Sequence, residues 1–226
     1  MDKKNFIRLV SLITTLAFVP IGTLVLILSY RARKGYLLSK KMLIKFKFET
    51  DSELFLKVLE AAEDHRYQDH WGIDLIAIIR AIRNFFLKRK LEGASTIEQQ
   101  YVRTCTGSRN ISLLRKLEEL TASVLLSISS SKNDIAHSYI SYAYFGEGLY
   151  GYKNVIPLFL SGEYEVPVNL YQTAAIIAML KRPKPIKSTI KWENQLLNRV
   201  NYIVNRHSAT YANKMNYRLF YIHSKK

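Results

Sequence analysis

Apolar and polar positions along this chain alternate in blocks with helical spacing, and one block stands apart. From Leu9 to Tyr30 no residue carries a charge, a run close to the roughly 20 residues that a bilayer-spanning helix needs. Pro20 and Gly22 interrupt it, which membrane helices tolerate better than soluble ones. The run exceeds a signal-peptide core and no small-x-small cleavage pattern follows it, so it reads as a retained transmembrane anchor. Further on, Leu54, Phe55, Val58, Leu59 and Ala62 recur at helical spacing behind a capping box, Thr50 to Glu53, and deliver Glu63 near the helix end. Ile73 to Leu87 is apolar on more than one face and is followed by Lys88, Arg89 and Lys90. It reads either as a buried core helix or as a segment that dips into lipid with a basic rim.

Ser95 and Glu98 have the spacing of a second capping box, and Leu114, Leu117, Leu120, Val124 and Leu125 mark the helix after it. Ser131 to Asn133 caps a helix over Ile135 to Phe145. Gly146, Gly148 and Gly151 then alternate with Tyr144, Tyr150 and Tyr152, either a plain turn between helices or an aromatic turn suited to stacking on sugar rings. Tyr171 to Leu180 is small and apolar, the pattern of a central buried helix. Lys181-Arg182-Pro183-Lys184-Pro185 ends it, and an amphipathic helix spans Trp192 to Asn205. No internal repeat and no strand-rich region is visible, so the fold class is mostly α. The expected order is a short basic N-terminus (1–8), a transmembrane anchor (9–30), a basic juxtamembrane linker (31–47), a catalytic domain (48–205) and a basic aromatic tail (206–226).

Composition sharpens this. At 226 residues and 48% hydrophobic, the chain can build a compact core. Its formal charge of +16 predicts attraction to polyanions. A nucleic-acid binder would rest on charge alone; the basic residues flank the apolar span and the motifs, which disfavours it. Cys105 is the only cysteine, which excludes an internal disulfide and a cysteine metal site. Lys3, Lys4 and Arg8 precede the span, while Arg31, Arg33, Lys34, Lys40 and Lys41 follow it. Charge bias alone would keep the following part in the cytoplasm, but long domains translocate largely regardless of it.

Candidate chemistry concentrates at Glu63-Asp64-His65-Arg66-Tyr67-Gln68-Asp69-His70-Trp71-Gly72-Ile73-Asp74, a charged stretch between apolar helices. Glu63, at a helix C-terminus, faces the unfavourable end of the helix dipole, the electrostatic setting of an acid–base group. His65 and His70 are five residues apart, which does not align a helical zinc pair. Gly93-Ala94-Ser95-Thr96 feeds a helix N-terminus whose free N–H groups suit a phosphate, and Arg103, Arg109, Arg115 and Lys116 follow. Arg115 and Glu119 stand at i and i+4, a surface ion pair by default.

These motifs resemble those of the peptidoglycan glycosyltransferases of glycosyltransferase family 51, and more narrowly the monofunctional transglycosylases. Glu-Asp-x-x-Phe-x-x-His-x-Gly is met by Glu63, Asp64, Tyr67, His70 and Gly72. Gly-x-Ser-Thr-x-x-Gln-Gln is met by Gly93, Ser95, Thr96, Gln99 and Gln100, and Arg-Lys-x-x-Glu by Arg115, Lys116 and Glu119. The resemblance implies a lysozyme-like glycosyltransferase domain that extends glycan strands from lipid II. Glu63 matches the general base and Glu119 the second essential acid near the departing pyrophosphate. Asp64, His70, Ser95, Thr96, Gln99, Gln100, Arg103, Arg115 and Lys116 match substrate-binding positions. No cofactor is obligatory; Mg2+ or Mn2+ bridging Glu119 and pyrophosphate is the transient metal that this chemistry admits.

Implied partners are lipid II, the growing strand, membrane lipids and other wall-synthesis proteins, without nucleic acid. The implied location is the bacterial cytoplasmic (inner) membrane, single-pass, with the catalytic domain on its outer face. The chain departs from the family pattern at Tyr67, at Glu98 where the family has threonine, at Ile111 and at Tyr139-Ile140-Ser141. The alternative reading is therefore a catalytically weak or inactive member that binds lipid-linked wall precursors or wall-synthesis partners.

Overall fold

In the computed structural model of the chain, residues 2–45, 50–89, 93–108, 112–159 and 169–211 are described. The side chains of Thr50 to Ser52, Arg109, Ile111 and the tail beyond Tyr211 lie outside that description, and with them the first capping box and the motif departure at Ile111. The described residues are mostly α. They form α1 (Lys3–Leu28), α2 (Tyr30–Lys41), α3 (Thr50–Glu63), α4 (Leu75–Lys88), α5 (Ile97–Thr106), α6 (Leu113–Ser129), α7 (Lys132–Tyr142), α8 (Tyr152–Val155), α9 (Leu170–Ala178) and α10 (Ile190–Tyr211). Two short antiparallel strands, β1 (Tyr144–Gly146) and β2 (Leu149–Tyr150), make the hairpin that the glycine–aromatic run had suggested only as a turn.

The chain divides into two compact units, Met1–Lys45 with Arg66–Tyr139, and Phe46–His65 with Ile140–Lys226. In the first unit α2, α5 and α6 pack on one another around Ala32, Tyr101, Val102, Ala122 and Leu126. The segment 31–47, expected as a linker, is helical through Lys41. Packing is the reason: α2 buries Ala32, Gly35 and Ser39 against α5 and α6.

Helix α1 lies along this unit, and residues Lys4–Leu28 are long and apolar enough to cross a membrane. Its faces are arranged the opposite way from those of a soluble helix. Ser11, Thr15 and Gly22 are buried against the unit, while Leu12, Ile13, Leu16, Val19, Leu24 and Ile27 point outward. Small and polar residues toward protein with large apolar ones toward lipid is membrane-helix packing. Ser29, with an extended backbone, separates α1 from α2; its hydroxyl accepts from Ala32 N–H and donates to Glu118.

Asp74 caps α4 by accepting from Ala77 N–H at 2.9 Å and is held by Arg66 at 2.7 Å. The core-helix alternative for this segment is set aside. Ile79, Ile82, Phe85, Phe86 and Leu87 are all exposed, with Arg83, Lys88 and Arg89 beside them. An apolar face edged with cations suits the lipid–water boundary.

The second unit is built on α9. Ala174 to Ala178 are fully buried, and α3 and α10 both pack on this helix with Phe55, Val58, Leu59, Val200 and Ile203. Asn169 and Gln172 close a capping box at its start. Gly146 permits the hairpin to touch the chain after α9: its φ is +145°, and Glu147 N–H donates to Lys184 O at 3.2 Å.

Candidate active site

Glu63 is the last residue of α3, and its side chain is only 2% exposed. Arg199 of α10 donates to its Oε1 at 2.9 Å and to Ala62 O at 2.8 Å, so one guanidinium group ties the carboxylate to its own helix end. Lys181, half exposed, stands 3.5 Å from Oε2. The first partner fixes the side chain; the second is solvated and weak, as exposed pairs are. Sequence reading had assigned no role to Arg199 or Lys181. Arg199 does leave a trace there: it interrupts the buried series Leu196, Val200 and Ile203, a charge where α10 faces the core. Asp64, next along, is buried.

The first unit assembles the other acid. Arg103 of α5 donates to both oxygens of Glu119 on α6, Nε to Oε1 and Nη2 to Oε2, each at 3.1 Å. Arg115, one turn earlier on α6, also pairs with Glu119 as the i,i+4 spacing predicts, but Glu119 is buried and the pair is not the surface one expected. The hydrogen bond to Glu119 raises the Arg103 guanidinium above its ordinary range despite partial burial. Lys116 reaches across to α5, donating to Ser95 Oγ at 2.9 Å and Gln99 Oε1 at 2.7 Å. Burial pushes its ammonium down to about 8; Glu119 opposes that, and Arg103 and Arg115 add to it.

Three cations thus surround one carboxylate, a cluster with positive charge to spare. Two guanidinium groups already occupy Glu119, so this donor set does not fit the Mg2+ or Mn2+ foreseen there; a cation would have to displace an arginine. The same cluster favours an anion.

Gly72 joins the motif segments of this unit. Thr96 Oγ1 and Gln99 Nε2 both donate to Gly72 O, at 3.2 and 3.1 Å. On its other side Gly72 lies so close to α6 that an added Cβ would be 2.8 Å from Ser123 O, and its φ is +81°. Ser123 in turn donates to Glu119 O. Thr96, rather than Ser95, is the N-cap of α5, accepting from Gln99 N–H. The expected box fails because Glu98 points inward: it is fully buried and paired with Lys132. Thr96 and Gln99, expected to touch substrate, spend these polar contacts on the frame. Gln100 accepts from Tyr139 at 2.7 Å, while Ser95 remains partly exposed beside Lys116. His70 is buried, its Nδ1 accepting from Gly72 N–H at 3.2 Å.

A sequence model of the family described as "Transglycosylase" matches residues 36–208. The chain belongs to the transglycosylase family. That membership accords with the peptidoglycan glycosyltransferase motifs and with a lysozyme-like domain made mostly of helices. Among similar proteins, penicillin-binding protein 1A of Rickettsia typhi is 32% identical over 150 residues, covering 65% of this chain and 19% of that protein. Penicillin-binding protein 1A of Mycobacterium tuberculosis is 30% identical over 134 residues, covering 58% and 16%. Penicillin-binding protein 1F of Bacillus subtilis is 31% identical over 124 residues, covering 54% and 17%. The transglycosylase chain therefore spans less than a fifth of the length of these relatives.

Proposed function

We propose that this chain polymerises lipid II into β-1,4-linked glycan strands with release of undecaprenyl pyrophosphate. The observation that carries the reading is the cation cluster of Arg103, Arg115 and Lys116 about Glu119, on the helices that bear the second and third motifs. Breaking the bond to a lipid pyrophosphate builds negative charge on the leaving group. Cations already in place stabilise that charge without reorganising, which lowers the barrier to the chemical step. Glu63 takes the proton from the acceptor sugar hydroxyl as its oxygen attacks the donor's anomeric carbon, inverting it. Arg199 holds the carboxylate in one rotamer for that transfer. An undecaprenyl tail accounts for the apolar faces of α1 and α4, and we infer that the domain works on the outer face of the bacterial cytoplasmic membrane.

Labelled lipid II incubated with the full chain in detergent tests this. Polymer should form with the wild type, also in the presence of a metal chelator. E63Q should form none while keeping the wild-type circular dichroism and Tm. Polymer from E63Q would remove Glu63 from the mechanism. Lipid II binding by the wild type without turnover, under every divalent condition, would instead make the chain a precursor-binding member of the family.

A further inference from the structure

The most completely buried charge in the first unit lies outside the cation cluster. Glu98 is 0% exposed, on the inner face of α5. Its Oε1 accepts from Lys132 at the start of α7 and from Ser127 near the end of α6, while Oε2 is buried without a hydrogen-bond partner. Lys132 also stands 4.2 Å from the centre of the Tyr67 ring, and its carbonyl accepts from the Tyr67 hydroxyl at 2.8 Å. Tyr67 meets the His70 ring edge to face at 6.1 Å. Burial acts to raise the Glu98 carboxyl, and its pairing with Lys132 holds it below its ordinary value.

A buried ion pair is a poor way to gain stability, because desolvating two charges costs about as much as their attraction returns. Its usual yield is geometric: each charge must stay where its partner is. Here the geometry at stake belongs to the first motif: Glu98 holds Lys132, Lys132 holds Tyr67, and the Tyr67 ring stands against His70.

We propose that Glu98 and Lys132 are a positioning pair, which clamps Tyr67 from two sides and thereby holds the His70 ring in a single orientation and tautomer. Lys132 secures the tyrosine through its ring face and its hydroxyl; the tyrosine ring backs the imidazole. Gly72 N–H donates to Nδ1, which leaves Nε2 as the donor nitrogen of the neutral ring. Neither Glu98 nor Lys132 touches substrate in this arrangement. The proposal rests on the glycosyltransferase reading only for its kinetic arm.

The test separates positioning from plain stability. E98Q alone strands a buried ammonium and is expected to unfold at lower temperature, and K132M alone strands a carboxylate. The double variant E98Q/K132M removes both charges and should regain most of the wild-type Tm. Positioning predicts that this refolded double variant still turns over lipid II about tenfold slower or worse with little change in KM. It also predicts that 15N NMR of labelled histidines in the full chain shows His70 as one Nε2–H tautomer in wild type and as an exchanging mixture in the double variant. K132R should restore the wild-type spectrum. A double variant with the wild-type histidine spectrum overturns the proposal whether or not the chain is active. A wild type that turns over no lipid II counts against the glycosyltransferase reading alone, and the spectrum still decides the pair.

Discussion

Lys116 shows how one side chain can carry both a function and a pH signature. Its ammonium titrates near 8 in the folded chain, chiefly through burial, against an ordinary 10.5. Inorganic pyrophosphate should therefore bind the full chain less tightly as pH rises from 7 to 9, and K116M should bind weakly without that slope. Isothermal titration at several pH values checks this; a flat wild-type profile would take Lys116 out of the anion site. Stability moves the other way. The unfolded chain keeps this proton up to its ordinary value and the folded chain only to about 8, so this group's contribution to stability rises with pH between the two. At the same scale, Glu98 corrects a sequence inference. Read as the closing residue of a capping box opened by Ser95, it is turned inward onto Lys132, which no local spacing could have revealed.

Helices and turns were largely legible from periodicity. The apolar repeats foretold α3, α6 and α9, and the Arg115–Glu119 pair followed from helical geometry alone. The cap of α5 was misplaced by one residue, because Ser95-x-x-Glu98 satisfies a box pattern whose glutamate is needed elsewhere. α4 could not be decided from its pattern, since burial in protein and in lipid select the same residues. Gly72 sits where two elements meet, and its substitution is the sharpest test of that junction. An alanine there would adopt an unfavourable positive φ and press on Ser123 O, costing roughly 1–3 kcal/mol for the backbone alone. G72A should lower the thermal midpoint by several degrees in a melt followed by circular dichroism; an unchanged midpoint would mean that α6 yields easily.

On the scale of the molecule, the positive charge and the membrane helix work on the same boundary. Lys4, Arg8, Arg31, Arg33, Lys34, Lys40 and Lys41 flank the apolar span, and Arg83, Lys88 and Arg89 edge the exposed face of α4. Protease added outside intact spheroplasts should digest the chain beyond α1, at its many lysines and arginines. Protection until the membrane is permeabilised would reverse the proposed topology.

Periodicity and charge were enough to read a helical chain with an apolar span, and the motif residues were enough to show a resemblance to the transglycosylases, because each of those signals is local in the chain. The partners of the acids were not. Arg199 reaches Glu63 across 136 positions and Arg103 reaches Glu119 across 16. Such pairs exist only once packing has brought their helices together, and burial then decides which charges remain free for an anion and which, like Glu98, are consumed in the frame.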